Sequence, residues 1–394
     1  MDHERRGRRL YALDGLRGVA ALVVVFHHVL LCDPRIAELS FGVRAANRDG
    51  WRWWTVFSPV HALWAGTEAV FVFFVLSGLV LVRPYLASRE RAVDWSGYYA
   101  KRAVRLYAPV VMAVALALGW AMLVPRHGPA STSAWLSTMQ RDHLTLGSTF
   151  RDVTLLSSPG RSNSVLWSLK WEVVFSLLLP LFVVAARWLR GRSAMVTIVV
   201  SLACAAGLWL RDDWLQYMPM FLAGAVMAST ALSSPSGRVA TWTPWRQWSA
   251  FAGAVALVTS RWLAGGWFVT GGDTIPQWAE RVCRALSVGG AALLVYLCLS
   301  APAVQAVFDR RSLQWLGSRS FSLYLVHEPL VVSVGFLLGP RPNVAVMLAI
   351  CVPVSLVLAE VFWRMWERRT QRWAAVAGQR AHLLERLDRD LVSR

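Results

Sequence analysis

Charged residues are scarce in this chain. Only 16% of its 394 residues are Asp, Glu, Lys or Arg, whereas a soluble domain is typically about a quarter charged. Lysine is nearly absent and occurs only as Lys101 and Lys170. Hydrophobic residues make up 56% of the chain, and the mean hydropathy is +0.43. This composition excludes an ordinary soluble domain and predicts a membrane protein.

Cysteines are also few, and the five that occur are scattered without a CxxC or CxxH spacing. The chain therefore has no sequence pattern for a zinc site, a dithiol redox motif or a disulfide framework. Most of the cysteines fall inside apolar spans, where a thiol acts as a small packing residue. We expect no bound metal.

The charge that is present is strongly positive, with 41 basic against 23 acidic residues and a formal net charge of +18. Nucleic-acid binding is the first interpretation of such a charge. However, the basic residues separate apolar spans and form no basic domain of their own. Basic segments on the cytoplasmic side of a membrane explain this pattern better, so no nucleic-acid partner is expected.

Long apolar runs dominate the rest of the chain. A helix needs roughly 20 residues to cross a bilayer, and ten spans of about this length can be read. They are approximately residues 12–31, 61–82, 104–124, 166–186, 193–210, 215–232, 249–269, 282–300, 319–338 and 343–363. The sequence thus predicts an all-α polytopic bundle of about ten transmembrane helices within the lipid bilayer.

Arginine-rich segments set the expected orientation and domain limits. With these segments on the cytoplasmic side, both termini are cytoplasmic and the long loop 125–165 is outside. We expect a multi-pass protein of the cell membrane with a transmembrane domain over 1–363 and a cytoplasmic tail over 364–394. Apolar residues at helical spacing in the tail predict an amphipathic helix, and a solvated tail explains them equally well.

The first span contains two ionisable side chains, Arg17 and His28, eleven residues apart. Eleven helical steps come within about 20° of whole turns, so the two side chains share one helix face, roughly 16 Å apart. His27 points about 80° away from Arg17. Because ionisable groups are costly at membrane depth, they usually face a cavity or a partner. A snorkelling Arg17 and a histidine at the membrane rim are the plainer interpretation.

Five motifs stand in a fixed order along the chain. They are LDGLRG with the following His28, FFVLSG at 73–78, RAVR at 102–105, WSLKWE at 167–172 and SFSLYLVH at 320–327. Together they resemble the acyltransferase-3 family of integral membrane acyltransferases, over roughly residues 11–367. The resemblance implies a ten-helix membrane enzyme that uses acyl-CoA, with acetyl-CoA the expected donor substrate and no bound cofactor.

The sequence departs from the family pattern at two points. Phe71 occupies a position where many members have Asp, and Glu68, one helical turn earlier, is expected to take that role. The segment 362–368 lacks the proline that often follows its glutamate.

Acyl transfer to a hydroxyl requires a base, and His28 is the natural candidate because imidazole titrates near neutrality. A role of His28 as a transient acyl carrier remains open. Glu172 and Glu68 lie at a similar depth in their spans, so we expect them to orient His28 or to bind the acceptor. A structural role remains open for both glutamates, including an ion pair of Glu172 with Lys170.

Arg102 and Arg105 lie three residues apart at the start of a span, on one helix face and on the same side as Arg17. Guanidinium groups bind phosphates well, and the resemblance implies that these arginines hold acyl-CoA. Ordinary positive-inside anchors are the alternative. Tyr324 and His327 are expected to line the same cavity, or else to serve packing.

The sequence therefore predicts a membrane O-acyltransferase that moves an acyl group, expected to be acetyl, to a hydroxyl of a sugar, a cell-envelope glycan or a glycosylated metabolite. Two other functions remain open. A proton-coupled exporter or translocator of a sugar-containing molecule could use the same buried His and Glu as a relay. A membrane scaffold would use its polar residues only for helix packing.

Overall fold

The protein folds into helices throughout the part that the structure describes. The computed structural model describes residues 2–41, 50–87, 94–127, 133–140, 144–157, 159–233, 238–268 and 275–392. These residues form eighteen α-helices and no strand: α1 (Asp2–Leu31), α2 (Pro34–Ser40), α3 (Trp51–Val56), α4 (Gly66–Ala87), α5 (Trp95–Leu123), α6 (Ala134–Ser137), α7 (Leu146–Thr154), α8 (Leu166–Leu177), α9 (Leu179–Trp188), α10 (Ser193–Leu210), α11 (Asp213–Ser233), α12 (Pro244–Val258), α13 (Ser260–Phe268), α14 (Gln277–Ser300), α15 (Pro302–Phe308), α16 (Arg311–Leu337), α17 (Val344–Phe362) and α18 (Arg368–Val392).

The all-α polytopic fold is confirmed, whereas the count of ten membrane helices is not. Among the described residues, seven helices are long and apolar enough to cross a membrane, and the bent pair α8–α9 raises the number to eight. The predicted sixth span corresponds to α11, and the predicted seventh is divided into the shorter helices α12 and α13. Neither falls within the set of seven or eight.

The predicted fourth span is broken, and proline explains the break. Helices α8 and α9 meet at an angle of 69° around Leu178. Pro180 is the second residue of α9, where its missing N–H costs no helical hydrogen bond, although it could not continue α8 without losing one. The chain therefore turns at this point rather than crossing as one straight rod.

Helices α1 and α16 are close neighbours and run in the same direction. A Cβ atom on Gly18 would lie 2.6 Å from the backbone nitrogen of Gly317, so the two backbones approach as only glycine allows. Further along, Cys32 Sγ lies against Gly335, where an added Cβ would approach it to 3.3 Å. Later residues of α1 therefore contact later residues of α16, which shows that the two helices are parallel.

The last spanning helix continues far beyond the bundle. A π-helical turn over Trp363–Glu367 joins α17 to α18, and Val344–Leu384 forms one long helical run. Gly378 of α18 touches Gly97 of α5, where an added Cβ would lie 3.0 Å from the Gly97 carbonyl oxygen.

The segment after 363, predicted as a tail, is thus helical and packs along α5 as far as its side chains are described. Trp373, Val376, Leu383 and Leu384 remain exposed on it. The assignment of 1–363 and 364–394 as separate units stays a prediction. Residues 88–93 of the predicted inner loop, and parts of the loop 125–165, lie outside the described residues.

The predicted orientation can be tested with single introduced cysteines, because all five native cysteines are buried. Arg310 is exposed at the start of α16, and Leu146 is 93% exposed in the long loop. We expect an impermeant maleimide to label Leu146→Cys in intact cells, and Arg310→Cys only after permeabilisation. Labelling of Arg310→Cys in intact cells would reverse the orientation.

Candidate active site

A cavity opens at the end of the bundle where Arg17 lies, between α1, α4, α5, α8 and α16. The enclosed space is about 150 Å³, and the volume rises to about 1120 Å³ when the open mouth is included. Five residues predicted from the sequence line it, namely Arg17, Arg102, Arg105, Glu172 and Tyr324. The folding of distant segments thus brings together most of the predicted site.

Two of the three lining arginines already have partners. Arg102 is buried and donates to the Glu172 carboxylate and, at 2.9 Å, to Ser176 Oγ. Arg17 donates to Ser320 Oγ at 3.0 Å and lies 3.2 Å from the Asp14 carboxylate. These contacts fix both guanidinium groups at the cavity wall.

Arg105 differs from the other two. Its side chain is exposed to the cavity, and it forms no ion pair with any carboxylate in the described part of the chain. It lies on the same face of α5 as Arg102, one turn further along. An incoming anion could therefore pair with Arg105, whose guanidinium group is not already paired with a described carboxylate.

Glu172 faces the cavity and not the membrane rim. It pairs with Arg102, whereas Lys170 lies over the ring of Trp171 at 4.8 Å. The alternative pairing with Lys170 is therefore not observed. Glu172 also does not contact His28. Its similar depth in the bundle had suggested that it would orient this histidine.

Glu367 is a further charged group in the cavity. It is the glutamate of the segment 362–368 noted in the sequence, but it was not predicted as a site residue. This residue ends the π-helical turn after α17 and lines the cavity. It is buried and accepts hydrogen bonds from Ser322 Oγ and, at 3.2 Å, from Gln371 Nε2. A π-helical turn shifts the helical register by one residue, so helical spacing alone could not have directed Glu367 inward.

His28 lies deeper along α1 and contacts another histidine. Its Nδ1 atom is 2.9 Å from Nε2 of His327, while Nδ1 of His327 is 2.8 Å from the carbonyl oxygen of Leu323. Since a carbonyl can only accept, neutral His327 carries its proton on Nδ1 and accepts at Nε2. His28 must then donate from Nδ1, which leaves its Nε2 atom unprotonated.

The Nε2 atom of His28 has no hydrogen-bond partner among the described residues. The imidazole is only 8% exposed, and the ring of Trp135 lies over it with centroids 5.2 Å apart. His28 is therefore a sheltered imidazole whose free lone pair is set by a hydrogen-bonded neighbour. This is the arrangement that a general base requires.

His27 points away from this pair, as the helical wheel predicted. Its Nδ1 atom donates to the carbonyl oxygen of Trp64 at 3.1 Å, and its ring packs against Gly66. The two adjacent rings still meet edge-on, with centroids 5.4 Å apart, but their hydrogen-bond partners are different.

Tyr324 stands between the cavity and the histidine pair. Its ring lines the cavity and lies 6.2 Å from the ring of His327, measured between centroids. Its hydroxyl is 2.7 Å from Ser168 Oγ and 3.2 Å from the carbonyl oxygen of Val165. Tyr324 therefore ties α16 to α8 at the boundary between the two parts of the site.

Glu68 belongs to a different cluster. It is buried and accepts a hydrogen bond of 2.9 Å from Trp262 Nε1. The same indole stacks on His61, with centroids 4.0 Å apart. Burial lowers the pKa of His61 well below its usual value, so this imidazole is neutral near pH 7. Within the described part of the chain, no hydrogen bond or ring contact joins Glu68 to His28, so the structure does not bring Glu68 to the histidine pair.

The arrangement offers two chemical functions on one pair of helices. At one end of α1 and α16, a cavity lined by three arginines, with Arg105 exposed to it, offers guanidinium groups to an anionic ligand. Roughly 16 Å along the axis of α1, a buried imidazole is ready to accept a proton. Among the described residues, no group of His, Cys, Asp or Glu side chains is placed to hold a metal ion.

Comparison with known proteins gives this geometry its context. A family model described as an acyltransferase domain, of the acyltransferase-3 type, matches residues 10–364. No solved structure matches the chain.

Three named relatives are O-acetyltransferases. The O-acetyltransferase PaAT-1 of Phomopsis amygdali is 27% identical over 86% of this chain and 76% of its own length. The putative peptidoglycan O-acetyltransferase YrhL of Bacillus subtilis (strain 168) is 24% identical over 92% of this chain and 55% of its own. The peptidoglycan O-acetyltransferase OatA of Listeria monocytogenes is 22% identical over 90% of this chain and 55% of its own.

The chain spans about three-quarters of the fungal relative and just over half of each bacterial one. The family match, in contrast, covers nearly the whole chain. Together with the polytopic helical fold, it establishes that the chain belongs to the acyltransferase-3 family and is a multi-pass membrane acyltransferase.

Proposed function

We propose that this protein transfers an acetyl group from acetyl-CoA to a hydroxyl of a carbohydrate or a glycosylated molecule, with His28 as the general base. The observation that carries this proposal is the hydrogen bond from His28 Nδ1 to His327 Nε2, which leaves Nε2 of His28 free. The sequence motif had suggested His28, and the partner histidine determines which of its two ring nitrogens is free to accept a proton.

The donor site is the arginine-lined cavity. The phosphates of acetyl-CoA would bind near Arg105, with Arg17 and Arg102 held beside it by their own partners. Guanidinium groups favour phosphate through paired hydrogen bonds. The long pantetheine arm would then extend past Tyr324 toward His28 and bring the thioester to the base.

The reaction follows from the tautomer of His28. The acceptor hydroxyl gives its proton to His28 Nε2 while its oxygen attacks the thioester carbonyl carbon. The C–S bond then breaks, and the leaving thiolate takes the proton from Nε2, which yields an ester and a free thiol. His327 accepts from His28 Nδ1 throughout, so it orients the ring and shares the positive charge of the imidazolium.

The acceptor class follows from the names of the two bacterial relatives, a putative peptidoglycan O-acetyltransferase and a peptidoglycan O-acetyltransferase. A glycan or glycosylated acceptor would approach His28 from the end of the bundle opposite the cavity. This route agrees with a plasma-membrane protein whose cavity and termini face the cytoplasm, where acetyl-CoA is made.

Replacing His28 should remove the chemical step. We expect His28→Ala to lower acetyl transfer by roughly 10²–10⁴-fold, the usual loss when a general base is removed, and to leave acetyl-CoA binding intact. His27→Ala is the control, because His27 lies one residue away with a different partner. The measurement is the acetyl content of cell-envelope glycans and glycosylated products by mass spectrometry at matched levels of folded protein. Equal activity of His28→Ala and wild type would contradict the assignment.

His327 should act by positioning His28. Glutamine can present an acceptor oxygen close to the place of Nε2, whereas leucine cannot, so His327→Gln should keep much more activity than His327→Leu. For His327→Leu we expect kcat to fall by about tenfold or more with the KM for acetyl-CoA nearly unchanged. If the two variants lose the same activity, or if KM carries the loss, His327 serves packing or donor binding instead.

Arg105 should bind the donor without holding the fold. Arg105→Ala should weaken acetyl-CoA binding by about 1–3 kcal/mol, the value of a charge-assisted hydrogen bond, with little change in thermal stability. Arg310→Ala removes the same charge at the same end of the bundle but outside the cavity, and it should leave the affinity unchanged. Titration calorimetry on purified protein measures both. If wild type, Arg105→Ala and Arg310→Ala bind acetyl-CoA with equal affinity, Arg105 does not bind the donor and serves only as a positive-inside anchor.

A further inference from the structure

A second cavity lies away from the acyl-transfer site, in a cleft between α10, α11 and α14. Its lining is mostly aliphatic or small, with Ala194, Ile198, Ala231, Gly289 and Leu293 among its residues. The volume is about 1290 Å³, counted out to its open mouth. No residue of the proposed donor site or of the histidine pair takes part in it.

The cleft opens toward the lipid and toward one end of the bundle. Ser193 begins α10 and Ser300 ends α14, and both line the cleft. From Ser300 the lining reaches Gly289, eleven residues or roughly 16 Å along α14. Ile198 lies on its wall and is 62% exposed. Apart from hydroxyl groups such as that of Thr197, the wall of the cleft is apolar, so hydrocarbon is the matching occupant of its depth.

Polar groups collect at the mouth of the cleft. Tyr296 lines it one turn from the end of α14, and its hydroxyl has no hydrogen-bond partner within the described ranges. Arg190 and Arg192 are exposed on the turn just before Ser193. They form no ion pair with any described carboxylate, whereas the nearby Arg187 donates to the carbonyl oxygen of Tyr85 at 2.8 Å.

We propose that this cleft is a binding site for an anionic phospholipid. One acyl chain lies along the aliphatic lining as far as Gly289, the glycerol esters lie at the level of the Tyr296 hydroxyl, and the phosphate is held by Arg190 and Arg192. Basic residues beside a cleft between membrane helices favour anionic headgroups. The aliphatic depth and the cationic mouth together fit a lipid better than either a free anion or a detergent tail.

Gly289 allows a test that fills the cleft without disturbing the bundle. A Cβ atom there would meet only Ser201 Oγ, at the ordinary distance of 3.5 Å, so Gly289→Leu should fold and project into the cleft. Gly253→Leu is the matched control, because Gly253 is an exposed helical glycine of α12 with nothing within 4 Å of its Cβ position.

The probe is phosphatidylglycerol with a photoactivatable acyl chain, incorporated into nanodiscs with the full-length protein. We expect labelled peptides from α10 and α14, competition by unlabelled phosphatidylglycerol, and a loss of about tenfold in that labelling for Gly289→Leu but not for Gly253→Leu. Thermal melting of each variant shows that it is folded. Uniform labelling of all lipid-facing helices, or unchanged labelling in folded Gly289→Leu, would overturn the site.

The headgroup contact has its own test with the same probe design. Wild type should prefer the phosphatidylglycerol probe to the phosphatidylcholine probe by several-fold, since each basic residue near a bilayer surface adds about 1 kcal/mol, or roughly fivefold. The double variant Arg190→Gln, Arg192→Gln should label equally with both probes. Equal labelling by the two lipids in wild type would overturn the anionic preference.

Discussion

The approach of α1 to α16 determines where the reactive groups of this protein meet. Gly18 and Gly317 let the two backbones come closer than any side chain would permit. Because the helices run in the same direction, this one contact aligns Arg17 with Ser320 and, further along, His28 with His327. A bulkier residue at the crossing would separate both pairs at once, although neither glycine touches a reacting atom.

Most charged side chains of the cavity wall form ion pairs with nearby groups of opposite charge. Arg102 with Glu172 and Arg17 with Asp14 neutralise each other within the cavity wall, which lowers the cost of placing these groups within the bundle. Arg105 carries charge that no described carboxylate pairs with, and it lies where an anionic ligand would enter. The cavity is thus ordered before the donor arrives. Its lining holds three arginines and three carboxylates, so the attraction for phosphate comes from the exposed guanidinium group of Arg105 and not from an excess of positive residues.

Helical periodicity was sufficient to place Arg17 and His28 on one face and to turn His27 away. It also placed Arg102 and Arg105 on one face of α5, and both line the cavity. It could not identify the partner of His28, because similar depth in the bilayer made Glu68 and Glu172 equally reasonable candidates. The choice depends on which helices are neighbours, and His327 is 299 residues away in sequence. Glu367 was missed for a local reason, since a π-helical turn changes the face that a residue occupies.

The contact between α5 and α18 lies outside the bundle, yet both helices lead into the cavity. Gly97 meets Gly378, and His382 lies 3.1 Å from the Asp94 carboxylate. Closer to the cavity than these contacts, α5 carries Arg105, and the turn before α18 carries Glu367. The two helices therefore connect a contact outside the bundle to two residues of the cavity wall. A substitution at Gly97 or Gly378 would therefore alter the packing of the two helices that carry these lining residues, although neither glycine lines the cavity.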